Sequence, residues 1–202
     1  MDQYFKTVTL PAPSADLVSA INELVADQVI TQTFLVEREK MLTDNPGANL
    51  ASVTGSNSPA FVQLAKAQYD QYFPNDHVGY SVVLCRNNNP GTPAIHAPHG
   101  DRLRLGAIHY VISNGGDNCT VTLYEKLATF QNPNLECVPA NDPSLGASLT
   151  TYKNNIGDWF GFDCRHYHYV QNIDTDLVYL ALSFNGSNID DLTTKYSSLF
   201  AS

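Results

Sequence analysis

The sequence predicts a mainly β chain, an antiparallel barrel or sandwich with helices packed on one side. Two observations predict it. Apolar spacing of helical period is confined to the N-terminal part, and from residue 78 onward β-branched and aromatic runs alternate with turns rich in Asn, Gly and Pro. The order, helices first and then many short strands, is that of an antiparallel sheet structure with a helical layer against it.

Taken in order, Ser14 is a good N-cap for ADLVSAINELVADQVI, in which Leu17, Ile21, Leu24 and Val25 recur on one helical face, so a helix is expected over roughly 15 to 28. Ser58 and Pro59 supply the cap and first-turn proline for PAFVQLAKAQYDQYF, and Pro74 stops that second helix. VGYSVVLC, residues 78 to 85, is a strand closed by the turn RNNNPGTP. AIHAPHGD, RLRLGAIHYVIS, CTVTLYE, DWFGFDC, YHYVQN and LVYLALSF follow as further strands, and the tail SNIDDLTTKYSSLF closes with a short helix. The expected organisation is one domain over 1–202, with a helical part to about 76, a barrel over about 77–185 and a tail over 186–202.

Composition bounds the function. Hydrophobic residues at 43% and charged residues at 15% are those of a globular chain, and 202 residues suffice for one core. A net charge of −9 disfavours general binding to nucleic-acid phosphates or anionic membranes. The N-terminus has no basic start followed by an apolar run, and no window approaches a membrane-spanning length, so a soluble cytoplasmic protein is expected. The cysteines, Cys85, Cys119, Cys137 and Cys164, lack C-x-x-C spacing and are expected to be reduced.

The chemistry concentrates in IHAPHGDRLRLGAIHYV, residues 95 to 111. His99 and Asp101, two apart on an extended segment, present imidazole and carboxylate on one side of the chain, suited to a shared metal ion. A third ligand must come from another strand, and FDCRHYHYVQN offers His166 and His168 on one face. Two imidazoles and one carboxylate on one face of an octahedral ion leave three positions open, the donor set of non-haem iron(II) oxygenases. An isolated H-x-D is common by chance, so its context matters.

That context is informative. YSVVLCRNNNPGTPAIHAPHGD, a strand, a Pro/Gly turn and then H-x-D, resembles the entry to the metal site of 2-oxoglutarate and iron(II)-dependent oxygenases. RLRLGAIHYVISNGGDN is similar to the strand and Gly-rich turn that follow it in the prolyl-hydroxylase-like and aspartyl/asparaginyl-hydroxylase-like branches. FDCRHYHYVQN resembles the F-D-x-x-x-x-H-x-V-x-N run of the latter branch, which selects His168 over His166. The resemblance spans about residues 78 to 185 and implies a double-stranded β-helix, or jelly-roll, with Fe(II) held by His99, Asp101 and His168 and 2-oxoglutarate as co-substrate. The Arg or Lys that such enzymes place nine or ten residues after the distal histidine is missing; Leu177 and Val178 stand there. Arg104, then Tyr110, then Arg102 are the candidates to hold the co-substrate carboxylate: they share parity on one strand, R-L-R resembles the arginine region of the aspartyl-hydroxylase-like branch, and Tyr110 is placed like the tyrosine that contacts 2-oxoglutarate in prolyl-hydroxylase-like enzymes.

His96 and His109 are expected to be packed imidazoles, His166 a neighbour of the ligands or a substrate contact, and His77 a surface group. Arg165 is expected at the surface, and Trp159, Phe160 and Cys164 in the core. The resemblance implies hydroxylation of an amino-acid, peptidyl or other small-molecule C–H bond. Two alternatives stay open: a cupin-like metalloenzyme using another cation, although no H-x-H followed by Glu is present, and a catalytically inactive barrel serving as a binding or scaffold module.

Overall fold

The computed structural model describes residues 4–27, 42–101, 104–129 and 137–201. Eight strands alternate between two antiparallel sheets: β3 (Val78–Arg86), β4 (Ala94–His99), β5 (Gly106–Asn114), β6 (Thr120–Leu127), β7 (Ser148–Lys153), β8 (Trp159–Asp163), β9 (His166–Ile173) and β10 (Leu177–Phe184). One sheet runs β8-β5-β10-β3 and the other β4-β9-β6-β7. This is a double-stranded β-helix. Two N-terminal strands, β1 (Phe5–Thr7) beside β8 and β2 (Ser52–Ser56) beside β3, extend the first sheet to six strands. The N-terminal part is therefore not purely helical.

Helix α1 (Ala15–Ala26) begins where the Ser14 side chain accepts from the Leu17 amide, and α2 (Pro59–Tyr69) where Ser58 accepts from that of Phe61. Both lie on the outer face of the six-stranded sheet. Leu17, Ile21, Phe61, Ala65 and Tyr69 bury against Tyr80, Val82 and Leu84 of β3 and Leu180 and Leu182 of β10. The opposite face of the same sheet lines the barrel, where Phe160, Phe162, Val111 and Tyr179 meet Val121, Leu123 and Val170 of the second sheet. Because both faces of β10 are covered, LVYLALSF reads as a continuous apolar run rather than an alternating one. A short closing helix, α3 (Ile189–Lys195), carries a capping box on Asn188 and Asp191.

Asp76 ties this C-terminal segment to the body. Its carboxylate accepts from Ser187 Oγ at 2.5 Å, Tyr196 Oη at 2.7 Å and Lys195 Nζ at 3.2 Å. The four cysteines are unbridged and buried. No helix among the described residues is long and apolar enough to cross a membrane.

Candidate metal centre

Strands β4 and β9 are antiparallel neighbours, with His99 directly opposite His168. Cross-strand side chains on one face of such a pair stand close together, and the two imidazole centroids are 4.2 Å apart. Asp101 follows at the end of β4. Its amide donates to the Cys164 carbonyl at 2.9 Å, which ties the start of the Asp101 loop to the turn between β8 and β9. Candidate ligand atoms of His99, Asp101 and His168 all lie within 4.8 Å of one another, and His168 Nε2 is 3.9 Å from Asp101 Oδ2. The structure thus brings these three residues together, from segments far apart in the chain.

Backbone carbonyls orient both rings. His99 Nδ1 lies 2.8 Å from the Ala97 carbonyl and His168 Nδ1 lies 3.1 Å from that of His166. A proton on each Nδ1 leaves both Nε2 lone pairs free for a cation, the arrangement that metal-binding histidines require. Burial pushes His99 well below the ordinary imidazole range, with His96 and His168 adding to the effect, and burial also lowers His168. Both rings are neutral, the form that ligates. Burial alone would raise the Asp101 carboxyl, but the Arg104 guanidinium outweighs it and holds the group well below the usual carboxylate range. The donor set is one ionised carboxylate and two neutral imidazoles, which fits a divalent first-row metal ion.

Gly100 is required between the ligands. A Cβ there would stand 2.3 Å from Ala128 Cβ and 3.2 Å from the Arg165 carbonyl, so no larger residue lets the 128–129 segment lie against the metal loop.

Arg104 reaches the centre by a route that strand parity does not describe. Strand β5 begins at Gly106, so Arg104 lies in the preceding turn and its side chain turns inward. Its Nε donates to Asp101 Oδ2 at 2.7 Å and its Nη1 donates to Ser183 Oγ at 3.2 Å. Tyr110 requires a correction. Within β5 the even-numbered residues Ile108, Tyr110 and Ile112 join the helix-covered core, and the Tyr110 ring lies 5.0 Å from that of Trp159. It is on the wrong face of the sheet to contact a carboxylate in the barrel. Strand parity fails here because the strand does not extend back through Arg104: the turn before Gly106 resets it. Arg102 lies outside the described residues.

The other singled-out residues divide in the same way. His109 faces inward, stacks on Tyr179 at 4.9 Å, and has Nε2 3.5 Å from Arg104 Nη1. His96 also lines the pocket, its ring 4.0 Å from that of His99. Residues three apart on a regular strand face opposite sides, but a register shift between His96 and His99 allows both to face inward. Nothing in the local sequence signals that shift beyond Pro98, which cannot donate to the ladder. His166 lies outside the pocket, against the Tyr124 carbonyl at 2.7 Å and the Tyr4 ring. Arg165 forms a two-pronged pair with Asp163, Trp159 and Cys164 are buried, and His77 is exposed.

The pocket runs from the candidate ligands His99 and His168 into the barrel, bounded by Val83, Cys85, Val121, Phe160, Phe162 and Tyr179. It is narrow and largely apolar.

No protein-family model matches the sequence, and no curated protein matches it. Among solved structures, a prolyl-4-hydroxylase of Pseudomonas putida superposes with a TM-score of 0.46 and 15% identity, over 90% of this chain and 91% of that one. The oxalate decarboxylase of Bacillus subtilis, described for its Mn(II) centres, gives a TM-score of 0.37 and 19% identity over 73% of this chain and 29% of that one. The Lactobacillus farciminis oxalate decarboxylase in a formate complex gives 0.37 and 16%, over 72% of this chain and 33% of that one. The matches thus span about a third or less of either decarboxylase.

Proposed function

We propose that this protein is a mononuclear iron(II) oxygenase that consumes a 2-oxo acid, with 2-oxoglutarate the co-substrate implied by the sequence resemblance, and hydroxylates a C–H bond of an amino-acid, peptidyl or other small-molecule substrate. One observation carries the reading: His99, Asp101 and His168 converge from two segments with a neutral, neutral and anionic donor set beside a pocket. These three residues would hold the ion and leave adjacent positions for the acid and dioxygen. The bound iron would supply the one-electron and dioxygen chemistry that no side chain provides.

The chain's own contribution is positional. The Ala97 and His166 carbonyls fix the imidazole tautomers, and Arg104 keeps Asp101 ionised and oriented. Phe160, Phe162, Val121 and Val170 wall the pocket with apolar surface, which excludes water from the reacting centre. Overall, the C1–C2 bond of the 2-oxo acid breaks with release of CO2. One oxygen atom of dioxygen enters the shortened acid, succinate where the co-substrate is 2-oxoglutarate, and the other enters the hydroxylated product.

The test is a titration of chelator-treated full chain with Co(II), followed in the visible d–d bands, and in parallel with Fe(II) and 2-oxoglutarate under anaerobic conditions. The expected result is one ion per chain, at least about a hundredfold weaker in His99→Ala and His168→Ala, since even the partners of ligands are worth tenfold to a hundredfold. Affinity indifferent to both substitutions would overturn the reading. The Arg104–Asp101 ion pair favours one other reading, a barrel that does not take up metal because the guanidinium already satisfies the carboxylate. Absence of any binding in folded protein would select it.

A further inference from the structure

We infer that the acid accommodated by this pocket is a 2-oxo acid with an aliphatic tail and no second carboxylate, rather than 2-oxoglutarate; this rests on the oxygenase reading above. The strand registers order the pocket walls. Next to His168 and His99 on the four-stranded sheet, one step further into the barrel, come Val170, Val121 and His96. On the facing sheet the inward positions of β10 run Ser183, Ala181 and Tyr179, with Val83 opposite Tyr179 and Cys85 opposite Leu177. An acid bound by its 2-oxo end at the ligand cluster therefore points its tail at Val121, Val170, Val83, Cys85 and the Tyr179 ring.

Among the described residues that far end offers no fixed positive charge. Among the described residues Arg104 is the one lysine or arginine lining the pocket, and it stands at the metal end, engaged by Asp101 at 2.7 Å and Ser183 at 3.2 Å. Arg86 and Arg165 are paired with Asp176 and Asp163. The Tyr179 hydroxyl already donates to Asn154 Oδ1 at 2.6 Å, in a fully buried contact. Cys85 is buried and its thiol is pushed up to about 12, so it stays neutral. The polar groups left are two imidazoles without a fixed charge: His96, which stands beside Val170, and His109, whose ring stacks on Tyr179 and whose Nε2 lies 3.5 Å from Arg104 Nη1. Where a distal anchor is expected, Leu177 is fully buried in the barrel core, and Val178 packs on the outer, helix-covered face. An uncompensated carboxylate at such a wall forfeits its hydration, whereas each methylene buried there is worth about a fourfold gain in affinity.

The experiment uses the full chain loaded with Co(II) and calorimetric titration with three acids: 2-oxobutyrate, 4-methyl-2-oxopentanoate and 2-oxoglutarate. The expected result is affinity that rises with the aliphatic tail, with 4-methyl-2-oxopentanoate at least tenfold tighter than 2-oxoglutarate. Binding of 2-oxoglutarate as tight as that of the aliphatic acids, or tighter, overturns the inference and leaves the metal centre standing. Binding of none of the three to the Co(II)-loaded chain overturns it in the same way. Failure of Co(II) itself to bind overturns the oxygenase reading, and this inference with it.

Discussion

The Arg104–Asp101 pair allows a quantitative prediction. Its Nε–Oδ2 distance is 2.7 Å, and the two side chains are 19% and 18% exposed. Two unit charges about 4 Å apart at an effective dielectric of about 20 attract by about 4 kcal/mol. Removing one partner of a buried pair costs about 3–5 kcal/mol, because the other charge is left uncompensated. The remaining exposure admits some screening, so Arg104→Met, which keeps most of the aliphatic bulk, should destabilise the metal-free protein by about 2–3 kcal/mol. For a chain of this size that corresponds to a fall of roughly 4–12 °C in Tm.

The assay is urea unfolding at pH 7 of chelator-treated wild type, Arg104→Met, Asp101→Asn and the double variant. The double-mutant cycle isolates the coupling, expected at about 2 kcal/mol. A divalent cation replaces the lost positive charge, so Co(II) should raise the Tm of Arg104→Met more than that of the wild type. The pH dependence has a definite sign. Asp101 is held well below the usual carboxylate range, so its contribution is present above its unfolded pKa and lost as pH falls through the folded one. Without Arg104, burial acts with less opposition and the group protonates at higher pH, so the gap between variant and wild type should narrow from pH 7 to pH 4. A coupling below about 0.5 kcal/mol, or equal stabilisation of both proteins by Co(II), would refute the view that guanidinium and metal share one carboxylate.

The same geometry gives three further expected outcomes. Gly100→Ala places a methyl 2.3 Å from Ala128 Cβ, between two candidate ligands, so Co(II) affinity measured by absorbance should fall by about tenfold or more even where the fold survives. Tyr110→Phe, on the helix-covered face beside Trp159, should leave the affinities for metal and for 2-oxo acids within about twofold of wild type by calorimetry; a larger loss would place the hydroxyl in the barrel after all. Since burial keeps His99 and His168 below the usual imidazole range, protons should not compete with the metal near neutrality, and the Co(II) dissociation constant should change less than about threefold between pH 8 and pH 6.5. A steep weakening over that interval would show that the imidazoles charge in the metal-free protein.

Much of the architecture is legible residue by residue. Ser14 and Ser58 mark helix starts because a hydroxyl placed before an apolar helical run satisfies an amide that the helix itself cannot. LVYLALSF marks a strand because a mostly apolar run of eight residues between polar turns is short for a helix and the length of a buried strand. Strands β1, β2 and β7 leave no such mark. The first is three residues long, SVTGS of β2 contains glycine and three hydroxyls, and β7 is an exposed edge whose residues are mostly polar. Such segments are strands because a neighbour offers a hydrogen-bonding edge, and that neighbour is remote in sequence.

The candidate centre divides along the same line. The chain on its own determined which residues are the candidates for metal chemistry: His99 and Asp101 are held two apart by local covalent geometry, and His168 stands in a recognisable run of its own. Only the tertiary structure decided that His168 lies across from His99, that His96 joins the pocket through a shifted register, that Arg104 turns onto Asp101 while Tyr110 faces the helices, and that the far wall of the barrel is apolar. Alternation of side chains is a rule within one uninterrupted strand. Where the strand bends, ends or meets its partner out of step, facing is set by contacts between segments dozens of residues apart, and no local pattern records them.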